Sequence, residues 1–292
     1  MLSYIEDFMR KASILLVFFV ACGTHSPFVR AADISPVEEV ASELETISRE
    51  RVDRCNSIVM LFERLGATDV IIEPVSTGGP EAGGSPRCPG NVIVTLEGKG
   101  EGYLIVGAHL DSEGMGMGAL DDYSGMLMAA ALYRGLSDEE LNHDILFVIF
   151  DLEEAGLLGS IDFVCNSSCL PGEIHAMVNL ECLGITLPHP WPEGSSDALE
   201  DLFVEVGGRF GYDASPVSIT GVAADSLAFL ALGVPAITLD GVNECDIDIL
   251  GSERDVPEVI DTDVFLESYP VIEEYIRVLD GLASPVDPAN ER

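Results

Sequence analysis

Short apolar runs alternate with segments of helical spacing along most of this 292-residue chain. Apolar runs rich in Val, Ile and Leu predict six strands, at 69–75, 91–98, 103–108, 144–151, 174–181 and 234–240. Spacings typical of helices occur at 35–66, 124–136, 196–210, 225–232 and 261–282. Apolar strands separated by helices are typical of parallel strands that are covered on both faces. We therefore predict an α/β fold, a three-layer sandwich in which a mostly parallel mixed central sheet carries helices on both faces.

The N-terminal residues have the pattern of a signal peptide. Arg10 and Lys11 precede ten apolar residues at 12–21, a run that is too short to span a membrane. The run ends with the small residue Ala21 directly before Cys22, which resembles the cleavage site of a bacterial lipoprotein; a plain secretory signal is the alternative. We expect an extracytoplasmic protein that is either anchored by a lipid at Cys22 or secreted. Its expected organisation is a signal peptide at 1–22, a tether at 23–33 and one folded domain at 34–292.

Cysteine usage agrees with export from the cytoplasm. Six cysteines remain after Cys22, and the spacing in 165-CNSSC-169 is short enough for a disulfide in an oxidising compartment. No second pair has the spacing of a zinc site, so a disulfide or free thiols are favoured over a cysteine metal site.

The charge of the chain excludes several classes of partner. It has 51 Asp and Glu against 14 Lys and Arg, which gives a net charge of −37. Such a surface repels nucleic acid and anionic lipid, so we expect neither as a partner and no membrane contact beyond a lipid on Cys22. Because 47% of the residues are hydrophobic and periodically placed, an acidic disordered chain is also excluded. We expect a monomer.

Acidic side chains stand where three of the predicted central strands end. The endings are 107-GAHLD-111, 150-FDLEE-154 and 179-NLE-181, and the pair Asp121–Asp122 opens the helix that follows the first of them. Any one such ending is ordinarily a capping acid. Because parallel strands end at the same edge of a sheet, these carboxylates would meet there, repel one another and require a cation. Oxygen ligands with the one imidazole of His109 suit zinc or another divalent metal in a hydrolytic site.

These segments resemble, in order and spacing, the dinuclear-zinc exopeptidases. That family includes bacterial leucyl aminopeptidases, glutamate carboxypeptidases and, as divergent relatives, glutaminyl cyclases. The resemblance rests on 109-HLD-111, 118-GALDDYSG-125, 150-FDLEEAGLLGS-160 and 179-NLE-181, with support from 224-ADSLAFLALGVPAI-237. It covers about residues 35–282 and implies a zinc exopeptidase-like catalytic domain.

The resemblance also implies a role for each residue of the candidate site. His109, Asp121, Glu154 and Glu181 would be metal ligands, with Asp121 bridging two zinc ions through a segment whose peptide bond to Asp122 is often cis. Glu181 stands where the family most often has Asp. The implied catalytic residues are Glu153, as the general base toward a metal-activated water, and Asp111, which would orient the imidazole of His109.

One ligand of the family pattern is absent from this chain. A late His is expected before the segment that contains Asp255, but Gly251 occupies that position and the last His in the sequence is His189. Side chains of the surrounding segment are candidates to replace it: Glu253, Asp248, Asp246 and Cys245. The alternatives are a single tightly bound zinc or the loss of hydrolysis.

We therefore expect a zinc-dependent exopeptidase that acts on peptides, with an aminopeptidase favoured over a carboxypeptidase and with one or two zinc ions. One alternative is a catalytically impaired pseudo-peptidase that only binds, which the absent His motivates. A glutaminyl cyclase is disfavoured because that branch typically lacks the intact His109–Asp111 motif. We expect Trp191 to cover the core rather than line the substrate cavity.

Overall fold

A computed structural model describes residues 35–47, 50–76, 90–100, 102–166 and 171–282. The described residues belong to one unit that begins at Ser35. The predicted signal peptide, the lipidation site at Cys22 and the tether lie outside the described residues. Among the helices within those ranges, none is long and apolar enough to cross a membrane.

A seven-stranded sheet forms the centre of the described part of the chain. Its strands are β1 (Val70–Pro74), β2 (Gly90–Leu96), β3 (Tyr103–His109), β4 (Asp144–Phe150), β5 (Ile174–Glu181), β6 (His189–Pro190) and β7 (Ala236–Asp240). Their order across the sheet is β1-β2-β4-β3-β5-β7-β6. The four central strands β4, β3, β5 and β7 run parallel, whereas β1, β2 and β6 are antiparallel to their neighbours. The sheet is therefore mixed, with its parallel strands at the centre.

Helices cover both faces of this sheet. They are α1 (Pro36–Ala41), α2 (Arg51–Arg64), α3 (Ser124–Leu136), α4 (Leu158–Asn166), α5 (Asp197–Phe210), α6 (Ser226–Leu230) and α7 (Thr262–Asp280). Even-numbered residues of β5, from Ala176 to Leu180, join a large core with α1, α2, α3, α5 and α7. Met177, which points to the opposite face, joins a smaller core with α4 and α6. The predicted three-layer sandwich is confirmed.

The central strands are buried on both faces, as their continuous apolar runs predict. All eight residues of β5 are buried. The edge strand β1 instead exposes 57% of Ile71, because its outer edge has no neighbouring strand in the sheet. The pattern of apolar residues in the sequence therefore indicates whether a strand is buried at the centre of the sheet or exposed at its edge.

Two predicted elements differ from the structure. The helix expected over 35–66 is divided: α1 is followed by a tight turn at Ser42–Thr46, and the chain becomes extended at Ile47 (ψ 137°) and Glu50 before α2 begins. Ile47 is 7% exposed, so burial of its side chain accompanies the break in the helix. The segment 152–160, which follows the predicted strand 144–151 and whose sequence predicts a turn, instead leads into α4, which begins at Leu158. The two-residue β6 is not predicted by its sequence.

The parallel strands end at one edge of the sheet. His109 ends β3 opposite Phe150 of β4, and Glu181 ends β5 opposite Asp240 of β7. The loops that follow these four residues therefore meet above the same edge, which is where α/β folds bind ligands.

Candidate metal centre and its cavity

Three predicted ligands meet at this edge of the sheet. Nε2 of His109 lies 2.8 Å from Oδ1 of Asp121 and 3.3 Å from Oε1 of Glu181. One ligand atom from each residue lies within 4.8 Å of the other two. One imidazole nitrogen and two carboxylate oxygens, with a position left open, make the donor set of a catalytic zinc site.

The pKa of His109 indicates that these carboxylates favour a positive charge between them. Burial of the imidazole lowers its pKa, but hydrogen bonds with Asp111, Asp121 and Glu181 outweigh burial and raise the pKa well above its usual value. In the metal-free protein the ring therefore carries the positive charge that the surrounding carboxylates favour. A divalent cation bound between the same groups would replace that proton.

Asp111 contacts both the imidazole of His109 and the loop that carries Glu153. Nδ1 of His109 lies 3.0 Å from the main-chain carbonyl of Asp111 and 3.8 Å from its carboxylate Oδ1. That carboxylate oxygen accepts the N–H of Glu153 at 2.9 Å. The carbonyl and the carboxylate of residue 111 thus both face Nδ1, which leaves Nε2 facing the ligand carboxylates. The side chain also fixes the loop that carries Glu153.

The turn Ala119–Tyr123 presents Asp121 to the site. Its Asp121–Asp122 peptide bond is cis, as the resemblance implies. Asp122 is fully buried, and its carboxylate accepts the N–H groups of His109 (3.0 Å), Gly125 (3.1 Å) and Cys182 (3.1 Å). One side chain therefore joins the end of β3, the start of α3 and the residue after β5.

Two further side chains hold the same turn. The carboxylate of Asp255 accepts the N–H of Leu120 at 2.7 Å. From the other side, Arg54 is fully buried and donates to the carbonyl of Gly118 at 3.0 Å. Asp122 and Asp121 interact favourably with this guanidinium, which supplies buried positive charge beside them. The turn is therefore held through its amides and through the carbonyl of the residue directly before it.

Glu153 and Glu154 follow β4 in a loop with unusual backbone angles. Leu152 and Leu157, on either side of the pair, have φ of 60°, and Cys182 after Glu181 has φ of 52°. Left-handed backbone at residues other than glycine is costly and concentrates at functional sites. These three residues flank the carboxylates of the candidate site.

Burial changes the ionisation of both glutamates. It raises the pKa of Glu153 to about 9, with further contributions from Glu181 and Asp225 that His109 partly offsets. Burial and the charge of Asp121 raise the pKa of Glu154 to about 7. One oxygen of Glu154 accepts the N–H of Glu113 at 3.1 Å. Without a metal, both carboxyl groups therefore retain protons at pH values where exposed glutamates are ionised.

A cavity of about 600 Å³ opens over these residues. Carboxylates form one part of its wall: Glu113, Asp121, Glu153, Glu154, Glu181 and Asp240. Apolar side chains form another: Leu157, Trp191, Val222, Ile247 and Leu250. None of the described residues that line it is Lys, Arg or His. The prediction for Trp191 was half wrong, because this residue is 3% exposed and packed in the core but also lines the cavity.

Gly251, at the position of the absent His, also lines the cavity. Its carbonyl accepts the N–H of Met115 at 3.2 Å, and its φ of +64° lies in the left-handed region. The candidate replacements do not line the cavity: Glu253, Asp248, Asp246 and Cys245.

Asp248 and His189 instead contact residues that do not line the cavity. A carboxylate oxygen of Asp248 pairs with Arg254 at 2.7 Å. His189 is buried, and its Nε2 lies 2.7 Å from the carbonyl oxygen of Val242. Within the described ranges, the structure therefore brings no second imidazole to the site.

The sequence profile of peptidase family M28 matches residues 91–267 of this chain. The chain belongs to peptidase family M28. A probable leucine aminopeptidase 2 from Trichophyton verrucosum is 26% identical over 206 residues, which are 65% of this chain and 37% of that protein. The chain thus spans little more than a third of the length of that relative.

Solved structures share the fold of this M28 chain. LapB from Legionella pneumophila has a TM-score of 0.70 at 20% identity, over 86% of this chain and 73% of that one. Glutaminyl cyclase from Porphyromonas gingivalis has a TM-score of 0.66 at 17% identity, over 85% of this chain and 99% of that one. At these identities the likeness concerns the fold alone, so the reaction of this M28 chain has to be argued from its site.

The M28 site contains two buried acids for which sequence analysis assigned no role. Asp240 ends β7 beside Glu181, so the criterion of a carboxylate at a strand end would have found it. Asp225 precedes α6 and is fully buried, and neither of its oxygens has hydrogen-bond geometry to a donor in the described part of the chain. Burial raises its pKa to about 7, although the nearby Ser160 hydroxyl lowers it in part. No local sequence signal marks Asp225, because its burial depends on long-range packing.

We predict that Asp225 makes the metal-free protein less stable as the pH rises. Its folded pKa of about 7 lies above the unfolded value of 3.8, so its stabilising effect is fully present below pH 3.8 and is lost as the pH rises through about 7. Asp225→Asn should remove that loss and raise the free energy of unfolding at pH 8 by up to roughly 4 kcal/mol, at about 1.4 kcal/mol per pKa unit. Urea unfolding with a chelator at pH 4 and pH 8 measures this. The exposed Asp201→Asn is the control, and an equal effect of Asp225→Asn at both pH values would contradict the prediction.

Proposed function

We propose that this M28 chain is a zinc-dependent aminopeptidase, which removes residues from the free N-terminus of peptides. The charge of the cavity is the observation that carries the proposal. Six carboxylates and no basic side chain line the described wall. Zinc held by Asp121 and Glu181 would offset the charge of those two carboxylates. Each of the other four acids adds negative charge when it is ionised, which favours an additional cation in the cavity.

The two ends of a peptide differ in how they would fit this cavity. An α-ammonium group brings a positive charge and N–H donors to the acidic wall. A C-terminal carboxylate brings a negative charge, and proteins usually bind it with Arg, Lys or backbone N–H groups. With no Arg or Lys in the described wall, a carboxypeptidase substrate would meet repulsion. This difference favours exopeptidase action from the N-terminus.

The residues that would hold zinc are His109, Asp121 and Glu181, whose donor atoms already converge. When bound, zinc polarises a carbonyl group and lowers the pKa of a water that it holds. Glu153 would accept a proton from that water and deliver it to the leaving amine, since its carboxyl group lines the same cavity. The bond from the N–H of Glu153 to the carboxylate of Asp111 would keep the base in place.

We predict that zinc-loaded protein releases the N-terminal residue from peptides with a free α-amino group. N-acetylation should reduce kcat/KM by at least about 100-fold, because it removes the charge that the acidic wall would bind. Amidation of the C-terminus should have little effect. Mass spectrometry of matched peptides, with leucine p-nitroanilide for the kinetics, measures both.

Glu153→Gln provides the matched variant for this assay. It should lower kcat by about 10²–10⁴-fold while leaving zinc affinity within a few-fold, because the proton acceptor is lost and the ligands are kept. Glu267→Gln, an exposed change on α7, is the control. Release of C-terminal residues would instead show a carboxypeptidase, and cyclisation of an N-terminal glutamine would show a glutaminyl cyclase. No turnover together with less than one zinc per chain would show a binding domain.

The number of zinc ions depends on position 251. We predict that the native protein binds one zinc per chain and that Gly251→His raises this toward two, because an added imidazole would join Asp121 and Glu154. A Cβ at this position meets no atom closer than the carbonyl oxygen of Glu113 at 4.0 Å, so there is space for the side chain. The positive φ should make the substitution cost about 1–2 kcal/mol.

Gly251→Ala is the matched control for that experiment, because it has the same backbone penalty and adds no ligand. Metal content after dialysis and the free energy of unfolding measure the two effects. Two zinc ions in the native protein, or one zinc in Gly251→His, would contradict the prediction.

We also propose that the chain acts outside the cytoplasm. Cys55 is disulfide-bonded, and disulfide bonds form and persist in oxidising compartments. The spacing of Cys165 and Cys169 adds no support, because Cys165 is a free thiol. Lipid attachment at Cys22 is the finer proposal, and the intact mass of the exported chain decides between a lipidated and a plain cleaved N-terminus.

A further inference from the structure

We infer that Asn179 is a positioning residue that holds the Glu181 carboxylate in the orientation needed to bind the metal. This inference rests on the proposed zinc site. The amide Nδ2 of Asn179 donates to Oε2 of Glu181 at 2.9 Å. The other oxygen, Oε1, is the one that lies 3.3 Å from Nε2 of His109. The amide thus binds one oxygen of the carboxylate and leaves the second directed at the candidate ligands.

The strand geometry makes this contact local and well defined. Asn179 and Glu181 are two residues apart on β5, so their side chains lie on the same face of the sheet. Asn179 lies between Gly107 of β3 and Thr238 of β7, in the middle of the parallel strands. The thiol of Cys182 lies 3.8 Å from Oε1 and provides a second, weaker donor. Both oxygens of Glu181 therefore face a donor from β5 or the residue that follows it.

The hydrogen bonding of Asn179 indicates a role toward the metal site rather than toward the fold. Asn179 is fully buried, yet its Oδ1 has no hydrogen-bond partner among the residues that the structure describes. A buried acceptor without a partner costs free energy. An apolar side chain of similar size at the same position would not have this cost. The donated hydrogen bond to Glu181 is the interaction that offsets this cost.

The length of the Glu181 side chain explains why a positioning group is needed. Glu has one more rotatable bond than Asp, so its carboxylate reaches the site in more orientations and loses more freedom when it binds a metal. A donor that restricts the carboxylate before the metal binds lowers that loss. Loss of such a supporting group typically weakens metal binding by about 10- to 100-fold.

The test is a double-mutant cycle with zinc affinity as its readout. Asn179→Leu should weaken zinc binding by about 10- to 100-fold, measured by competition with a chelator. The melting temperature of the metal-free variant should be unchanged or higher, because the unpartnered acceptor is removed. In the Glu181→Asp background the shorter carboxylate no longer reaches the amide, so Asn179→Leu should change zinc affinity by less than about threefold.

Controls separate positioning from a general disturbance of β5. Met177→Leu alters the same face of the same strand at nearly constant volume and should leave zinc affinity unchanged. If Asn179→Leu does not fold, Asn179→Ala enters the same cycle with the same expectation. Equal losses of affinity in the native and the Glu181→Asp backgrounds, or no loss in either, would overturn the inference. Because zinc binding is measured without peptide, failure of the aminopeptidase proposal would be seen separately.

Discussion

The site depends on one buried carboxylate, that of Asp122. It has no contact with solvent and accepts three main-chain N–H groups, one each from the end of β3, the start of α3 and the residue after β5. Burial and the charge of Glu181 raise the pKa of Asp122 well above its usual value, whereas the charge of His109 and the N–H that His109 donates lower it in part. The buried guanidinium of Arg54 adds a favourable charge nearby. Because the three segments are joined through a single side chain, His109, Asp121 and Glu181 have little freedom to separate.

The carboxylates that we propose as metal ligands destabilise the site when it is metal-free. His109, Glu153 and Glu154 all have raised pKa values, so protons partly substitute for the cation. Leu152 and Cys182 hold left-handed backbone conformations beside these groups. A chain optimised for stability alone would avoid repulsion and strain at one edge of its sheet. The raised pKa values and the left-handed residues are concentrated at the carboxyl ends of β4 and β5. Such a concentration is typical of a site that functions with a bound cation.

The fold alone does not decide the reaction. Structures described as aminopeptidases and as glutaminyl cyclases both superimpose on this chain. What differs between candidate reactions is the set of donors and charges in the cavity. Gly251 leaves the second metal position without an imidazole, while the wall remains acidic and lacks basic groups among the described residues. These features are the basis for the proposal of one firmly bound metal and of a substrate that brings its own positive charge.

The sequence by itself determined the central architecture and the residues that we propose as the principal ligands. Apolar runs identify the buried parallel strands, and the acids at their ends must converge because parallel strands share one edge. Only the tertiary structure decided how the side chains are used. The carboxylate of Asp111 binds the amide of Glu153, Asn179 binds Glu181, and the four candidates to replace the absent His lie outside the cavity. Spacing along the chain limits which strand ends meet, but the direction of a side chain and the burial of Asp225 result from contacts between segments that are distant in sequence.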